Sequence, residues 1–450
     1  MSAQKFNIIF LLAVCISFSA AGETGKSDFN RYWPAWRGPL GTGEAPFGNP
    51  PVKWSEQENI AWKIPLQGRG HSTPVIWKNK LFITTAVPLD KPVENKENGN
   101  AFPRWMRGRA RKAEKVQQFV VMCINRMDGS LIWKKAVLEK FPHAGTHKDG
   151  SWAPASCVTD GTHVIVFFGS YGLYCFDMQG TLQWEKDIGD MRTKASFGEG
   201  ASPCLYGSTL IVNWDHEGPS FLAVFNKSTG KLLWEKKRNE RTSWSTPAVA
   251  EVNGKPQIIV AAGGASRGYD LKTGDVIWKL GGQTPNVVPT PAVSSGIVYL
   301  TSGFRGSILQ AVKLAGAQGN LAGTPSILWT YTGGTPYVPS VLVYRDRLYF
   351  FQVNMARLTC TNAVTGKMYY EKQRIKELRG VYASPVAADG RIYIPGRNGM
   401  TCVLKDGKKI HILAANKLSD RFEASPAIVH TSLYLRGFKN LYCIRSAEKK

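Results

Sequence analysis

The sequence predicts an all-β fold, an eight-bladed β-propeller of four-stranded antiparallel blades, on three observations. A proline-containing start recurs eight times, at Pro74, Pro154, Pro203, Pro247, Pro291, Pro339, Pro385 and Pro426. After most starts come two apolar strands across a polar turn, as in Pro385-Val386 followed by Asp389-Gly390-Arg391-Ile392-Tyr393-Ile394. A third strand then leads into a glycine turn, and an aromatic residue follows in the fourth strand. Starts spaced by about 41 to 49 residues, with one gap near 80, suit four short strands per blade.

Each element has a chemical reason. Proline cannot donate a ladder hydrogen bond, so it belongs at the first residue of a strand. The turns Asn226-Lys227-Ser228-Thr229-Gly230 and Asp270-Leu271-Lys272-Thr273-Gly274 end on the residue that a tight hairpin needs. Four residues beyond such a glycine stand Trp133, Trp184, Trp234, Trp278, Tyr370 and His411, while Trp329 ends the fifth repeat without one. Large rings at one equivalent position per blade are expected to dock blade on blade. The eighth repeat lacks its fourth strand, and residues 59–63 supply an orphan strand carrying Trp62. Pairing the two closes the ring and removes its open sheet edges.

Outside the repeats, residues 1–21 have the basic start, apolar core and Ser19-Ala20-Ala21 end of a secretory signal. Cys15 follows Leu12-Ala13-Val14 and is read as part of that core rather than as a lipidation site. An extracytoplasmic, bacterial periplasmic location is expected, and no later stretch approaches the roughly 20 apolar residues of a membrane-spanning helix. Residues 22–53 form an N-terminal extension, rich in glycine and proline, expected to wrap the outside before the propeller of residues 54–450. A basic insertion at about residues 87–117, containing Trp105, accounts for the long first spacing.

The formal charge of +24 predicts attraction to acidic partners: an anionic glycan or small ligand, an acidic protein face, or a peripheral contact with the envelope. Export argues against nucleic acid. A monomer is expected, because a closed ring needs no partner.

The turn-to-tryptophan segments resemble the tryptophan-docking motif of pyrroloquinoline-quinone-type (PQQ-type) propellers, Ala-x-Asp-x-x-x-Gly-x-x-x-Trp. Such repeats occur in quinoprotein alcohol dehydrogenases, in the propeller lipoprotein of the outer-membrane β-barrel assembly machinery, and in many exported PQQ-binding-like proteins. Trp33-Pro34-Ala35-Trp36-Arg37-Gly38-Pro39, Asn416-Lys417-Leu418 and Arg421-Phe422 look most like the third group. The resemblance puts Cys123, Cys175, Cys360, Cys402 and Cys443 where the motif takes a small residue, and implies free buried thiols. It also brings two alternatives: a PQQ-dependent alcohol or polyol dehydrogenase using calcium, and a scaffold for outer-membrane protein assembly. The dehydrogenase family carries adjacent cysteines over its cofactor, and this chain has no Cys-Cys pair. No cofactor or metal is predicted.

Candidate ligand residues follow from propeller topology. Loops entering each blade, and turns joining second to third strands, share one face around the channel. Trp152, Trp244, Tyr337, Tyr382 and Phe422 precede blade starts and are expected to line it. Arg305, Arg397 and Lys439 occupy corresponding basic turns, suited to capturing an anion. Glu199, Asp215 and His216 are the acidic and imidazole groups placed nearest. Three motif matches are set aside. Gly264-Ala265-Ser266-Arg267-Gly268 lies between strands, whereas a nucleophile elbow needs a strand-to-helix turn. His143 and His147 have Pro142 and Gly145 beside them and no helix to share. No phosphate-binding loop is present. The reading that results is a propeller binding a partner or ligand without catalysis.

Overall fold

A computed structural model describes residues 28–92 and 110–446. The signal-like segment and most of the basic insertion, Trp105 included, lie outside the described residues. Eight sheets form the ring. In the first blade Val75–Trp77, Lys80–Leu89, Val116–Asn125 and Leu131–Lys140 succeed one another, each antiparallel to the last. The inner strands of adjacent blades touch, so the sheets stand around a central channel. Middle strands such as Ile297–Ser302 are buried throughout, because a neighbouring blade covers each face. Outer strands such as Leu232–Arg238 are mostly exposed. The prolines do sit at strand entries: Val75, Cys204, Ala248, Ala292, Val386 and Ala427 each follow one directly.

The orphan strand closes the ring as expected. Ile60–Pro65 runs antiparallel to Asn440–Ile444 and completes the eighth blade, with a bulge between Ile60 and Trp62. The docking tryptophans reveal why their glycines are needed. Trp62, Trp133, Trp184, Trp234 and Trp329 each donate their indole N–H to a backbone carbonyl of the next blade, at Arg126, Met178, Lys227, Leu271 and Ala363. Each ring lies on that blade's turn glycine: a β-carbon on Gly129, Gly180, Gly230, Gly274 or Gly366 would stand 2.7 to 2.9 Å from it.

Two positions depart from this scheme. Trp278 meets no glycine turn, because the fifth blade replaces it with a longer connection. It is fully buried instead, donates to Gln257 Oε1, and packs against Leu314, Ala317 and Leu321 of that connection. The same connection sends Gly319–Asn320 back to pair parallel with Val276–Leu280, giving the fourth blade a fifth strand. His411 is exposed and docks nothing. Tyr370 packs between the sixth and seventh blades, and Trp54 stacks on Tyr393 at 6.5 Å to fill the following seam.

Matched glycine variants test the docking contact. Gly230 and Gly254 both have positive φ, +67° and +74°, but only Gly230 lies under a ring. Gly254→Ala is expected to cost about 1 kcal/mol of backbone strain. Gly230→Ala is expected to cost about 1–3 kcal/mol more from overpacking. Equal urea midpoints for the two variants would show that the ring contact contributes nothing.

The N-terminal extension does not wrap the outside; it threads the channel. Trp33 exchanges backbone hydrogen bonds with Ile76 of the first blade, and Pro34 accepts from Thr159 of the second. Arg37, 2% exposed, donates to the carbonyls of Thr42, of Val341 in the sixth blade and of Pro385 in the seventh, all at 2.8–2.9 Å. Ala45 and Asn49 then bond to Ala387 and His430. The guanidinium is satisfied by carbonyls of the adjacent sixth and seventh blades and of its own segment.

The insertion also needs correction at its edges. Val87, Pro88 and Leu89 pair with Gln118, Gln117 and Val116, so these residues belong to a long hairpin in the first blade. Downstream of the loop, Ala110–Arg111 pairs with Thr146–His147. The seven cysteines of the described residues are all unpaired. Burial pushes the thiols of Cys123, Cys157, Cys175, Cys360 and Cys402 up to about 12, which keeps them unreactive.

Candidate functional site

The residues flanking each strand-entry proline build a ring of hydroxyls around the channel. The N–H of Thr73 donates to Ser156 Oγ, that of Ser156 to Ser202 Oγ, and that of Ser202 to Thr246 Oγ1. On the far side Thr290 N–H reaches Ser340 Oγ, Ser340 reaches Ser384, and Ser384 reaches Ser425, all at 2.9–3.0 Å. Thr73 Oγ1 donates to Ser425 O and joins the two arcs. Where the pattern lapses, between the fourth and fifth blades, Ser245 Oγ donates to Pro289 O and Trp36 donates to Thr290 Oγ1 at 2.7 Å.

Above this ring the entry loops enclose a cavity of about 270 Å3. Trp36, from the threaded segment, reaches its base; Phe197, Trp244, Tyr337 and Tyr382 form aromatic walls. Its polar lining is His71, His147, Asp149, Glu199 and Glu423, together with ring hydroxyls. No lysine or arginine among the described residues lines it, although the chain as a whole carries +24.

The charges at the rim are held in one network. Arg397 bridges Glu423 Oε1 at 2.7 Å and Asp149 Oδ1 at 2.8 Å, and its guanidinium lies 4.0 Å above the Tyr382 ring. Arg421 also donates to Asp149, at 2.8 Å, and to Glu423. Glu423 is 8% exposed and its Oε2 has no hydrogen-bond partner. His71 Nε2 stands 3.4 Å from that oxygen but likewise makes no hydrogen bond, while Nδ1 lies 2.8 Å from Ser151 Oγ. Burial pushes the His71 imidazole below its ordinary range. Among the described residues Glu199 is held only by Ser170, whose N–H and hydroxyl donate at 2.7 and 2.5 Å. Burial raises this carboxyl to about 7. Gly169, with φ +62°, makes room for it, since a β-carbon there would fall 1.3 Å from Glu199 Oε2.

Several residues singled out from the sequence meet here: Glu199, Trp244, Tyr337 and Tyr382 line the cavity, and Arg397 braces its rim. Trp152 borders a smaller adjoining cavity and donates to Ala144 O. Others fall elsewhere. Phe422 is fully buried against Tyr442 and lines nothing. Arg305 and Lys439 are exposed and outside the lining, so the basic turns form no funnel into the cavity. Asp215 belongs to a buried ion pair with Arg238. His216 is a satisfied core histidine: its Nδ1 accepts from Arg192 N–H, and Nε2 faces Pro219 O at 3.0 Å.

His71, His147, Asp149, Glu423 and Trp36 were not identified from the sequence as site residues. The hydroxyls beside the recurring prolines were a signal for the ring. The acidic residues had none, since Asp149 and its partner Arg421 are 272 positions apart.

The family model for outer membrane protein assembly factor BamB matches residues 117–330. Among solved structures, BamB from Moraxella catarrhalis is similar over 85% of this chain and 99% of its own, at 12% identity and a TM-score of 0.55. The computationally designed Ika8 protein is similar over 74% of this chain and 95% of its own, at 11% identity and a TM-score of 0.51. These likenesses speak for the fold. No curated protein matches the chain.

Proposed function

We propose that this member of the PQQ-like propeller superfamily is an extracytoplasmic binding protein that takes a small ligand into the mouth of its channel, without catalysis. The observation that carries the reading is the cavity itself: apolar walls, few polar groups converging, and a base formed by Trp36, the usual anatomy of a ligand site. The signal-like residues 1–21 support export. Among the described residues no helix is long and apolar enough to cross a membrane.

The dehydrogenase alternative asks for hard oxygen donors converging on a calcium ion beside the quinone. Asp149 and one oxygen of Glu423 are bound to arginines, and Glu199 accepts two hydrogen bonds from Ser170. Among the described residues no group of three or more His, Cys, Asp or Glu is placed to hold a metal. These residues do not make a calcium-quinone site. The scaffold alternative draws on the family model, which is named for outer-membrane protein assembly; co-purification with a membrane assembly complex would favour it.

A cavity-filling variant tests the proposal. Val288 lines the mouth and is only partly buried, so Val288→Trp should occupy the cavity without disturbing a blade. Small ligands, PQQ with and without calcium among them, are screened for shifts in melting temperature. Shifts seen with the native protein and lost in the folded Val288→Trp protein are expected. Ligands that stabilise both equally would place binding elsewhere and sink the proposal. Calcium-dependent PQQ binding lost in the variant would revive the dehydrogenase.

A further inference from the structure

We propose that the cavity at the channel mouth is selective for an organic cation carrying a primary ammonium group, received by Glu423, His71 and Glu199 between aromatic walls. This inference rests on the ligand-binding reading above and names its ligand class.

The argument is an inventory of donors and acceptors. The lining offers three carboxylates and two imidazoles, and no lysine or arginine among the described residues. Asp149 and one oxygen of Glu423 are consumed by Arg397 and Arg421. What remains is acceptor capacity. Glu423 Oε2 is a buried oxygen with nothing donating to it. In the tautomer whose Nδ1–H donates to Ser151, His71 Nε2 is a second acceptor, 3.4 Å away; in the other, Nε2–H faces the Glu423 oxygen. In the first tautomer the two acceptors leave a buried deficit that a donor placed between them would relieve.

Charge points the same way. Among the described residues Glu199 has Ser170 as its donor and no cationic partner. A neutral hydroxyl would satisfy the hydrogen bonds, whereas a cation beside Glu199, raised by burial to about 7, would also draw that carboxyl to its charged form. A primary ammonium has three N–H groups and a positive charge, so it answers both needs. The walls suit its organic part: Trp244, Tyr337 and Phe197 present ring surfaces to the cavity, and cation–π attraction adds to burial there, while Tyr382 already carries Arg397 on one face. Among the described residues the lining holds three carboxylates, two of them paired with rim arginines, and no lysine or arginine.

The test uses two probes of one shape, cyclohexylammonium and cyclohexanol, titrated by calorimetry into the native protein, Glu199→Gln and Val288→Trp. Cyclohexylammonium is expected to bind at least about tenfold more tightly than cyclohexanol, a difference of ~1.4 kcal/mol. Glu199→Gln is expected to remove most of that preference, and Val288→Trp to abolish binding of both probes. Equal affinity for the two probes would overturn the ammonium proposal and leave the cavity reading standing. Ammonium binding that survives Val288→Trp would overturn it as surface association. Binding of neither probe also overturns it, and the cavity reading is then judged by the melting-temperature screen alone.

Discussion

Asp215→Asn is expected to cost about 3–5 kcal/mol of stability, the usual penalty for leaving one partner of a buried ion pair uncompensated. Arg238 Nε and Nη2 donate to Asp215 at 2.7 and 3.0 Å, and both side chains are at most 1% exposed. Ser243 Oγ adds a third donor to Asp215 at 2.9 Å, and Arg238 also bonds Tyr269. Asparagine keeps the shape but offers one carbonyl oxygen to donors that had a full carboxylate. Urea unfolding measures the loss. A control separates charge from packing: Asp215→Asn with Arg238→Met removes the stranded cation and should recover part of the stability. A single-variant loss below about 1 kcal/mol would mean that the pair is not held in the buried state described.

Trp62→Ala is expected to cost a similar amount, about 3–5 kcal/mol, and to act in a particular place. The Trp62 ring lies on Gly129 and its N–H reaches Arg126 O, so it ties the closing strand to the first blade. Loss of Trp184 removes an equivalent ring from a hairpin still joined to its own blade by short turns. Loss of Trp62 instead loosens a strand whose only antiparallel neighbour, Asn440–Ile444, comes from the other end of the chain. Amide exchange should therefore rise in Ile60–Pro65 and Asn440–Ile444 for Trp62→Ala and stay local to the second and third blades for Trp184→Ala. Identical exchange patterns would show that the closure is no weaker than any other seam.

What the sequence revealed follows the range of its interactions. The blade starts, glycine turns and docking rings are local signals repeated along the chain, and the closing strand follows from counting them. Trp278 kept its expected burial but not its partner, because the turn it would have met is replaced in the next blade. The threaded segment has no period, and Arg37 bonds to carbonyls 304 and 348 positions away. Glu199, Trp244, Tyr337 and Tyr382 were legible from loop position alone. Arg305 and Lys439 share the equivalent turn with Arg397, but turn equivalence places a backbone and does not aim a long side chain. Asp149 and Glu423, isolated acids in loops, carry no mark of the arginines that surround them.

The threaded segment gives the ring a hub. Its bonds to inner strands at Ile76, Thr159, Thr290, Val341, Pro385 and Ala387 act as spokes that set the inner radius from within. A wheel so braced cannot widen to admit a larger guest, so the cavity's size limit belongs to residues 33–45 as much as to its walls. Changes in that stretch should alter which ligands fit while the blades themselves stay as they are.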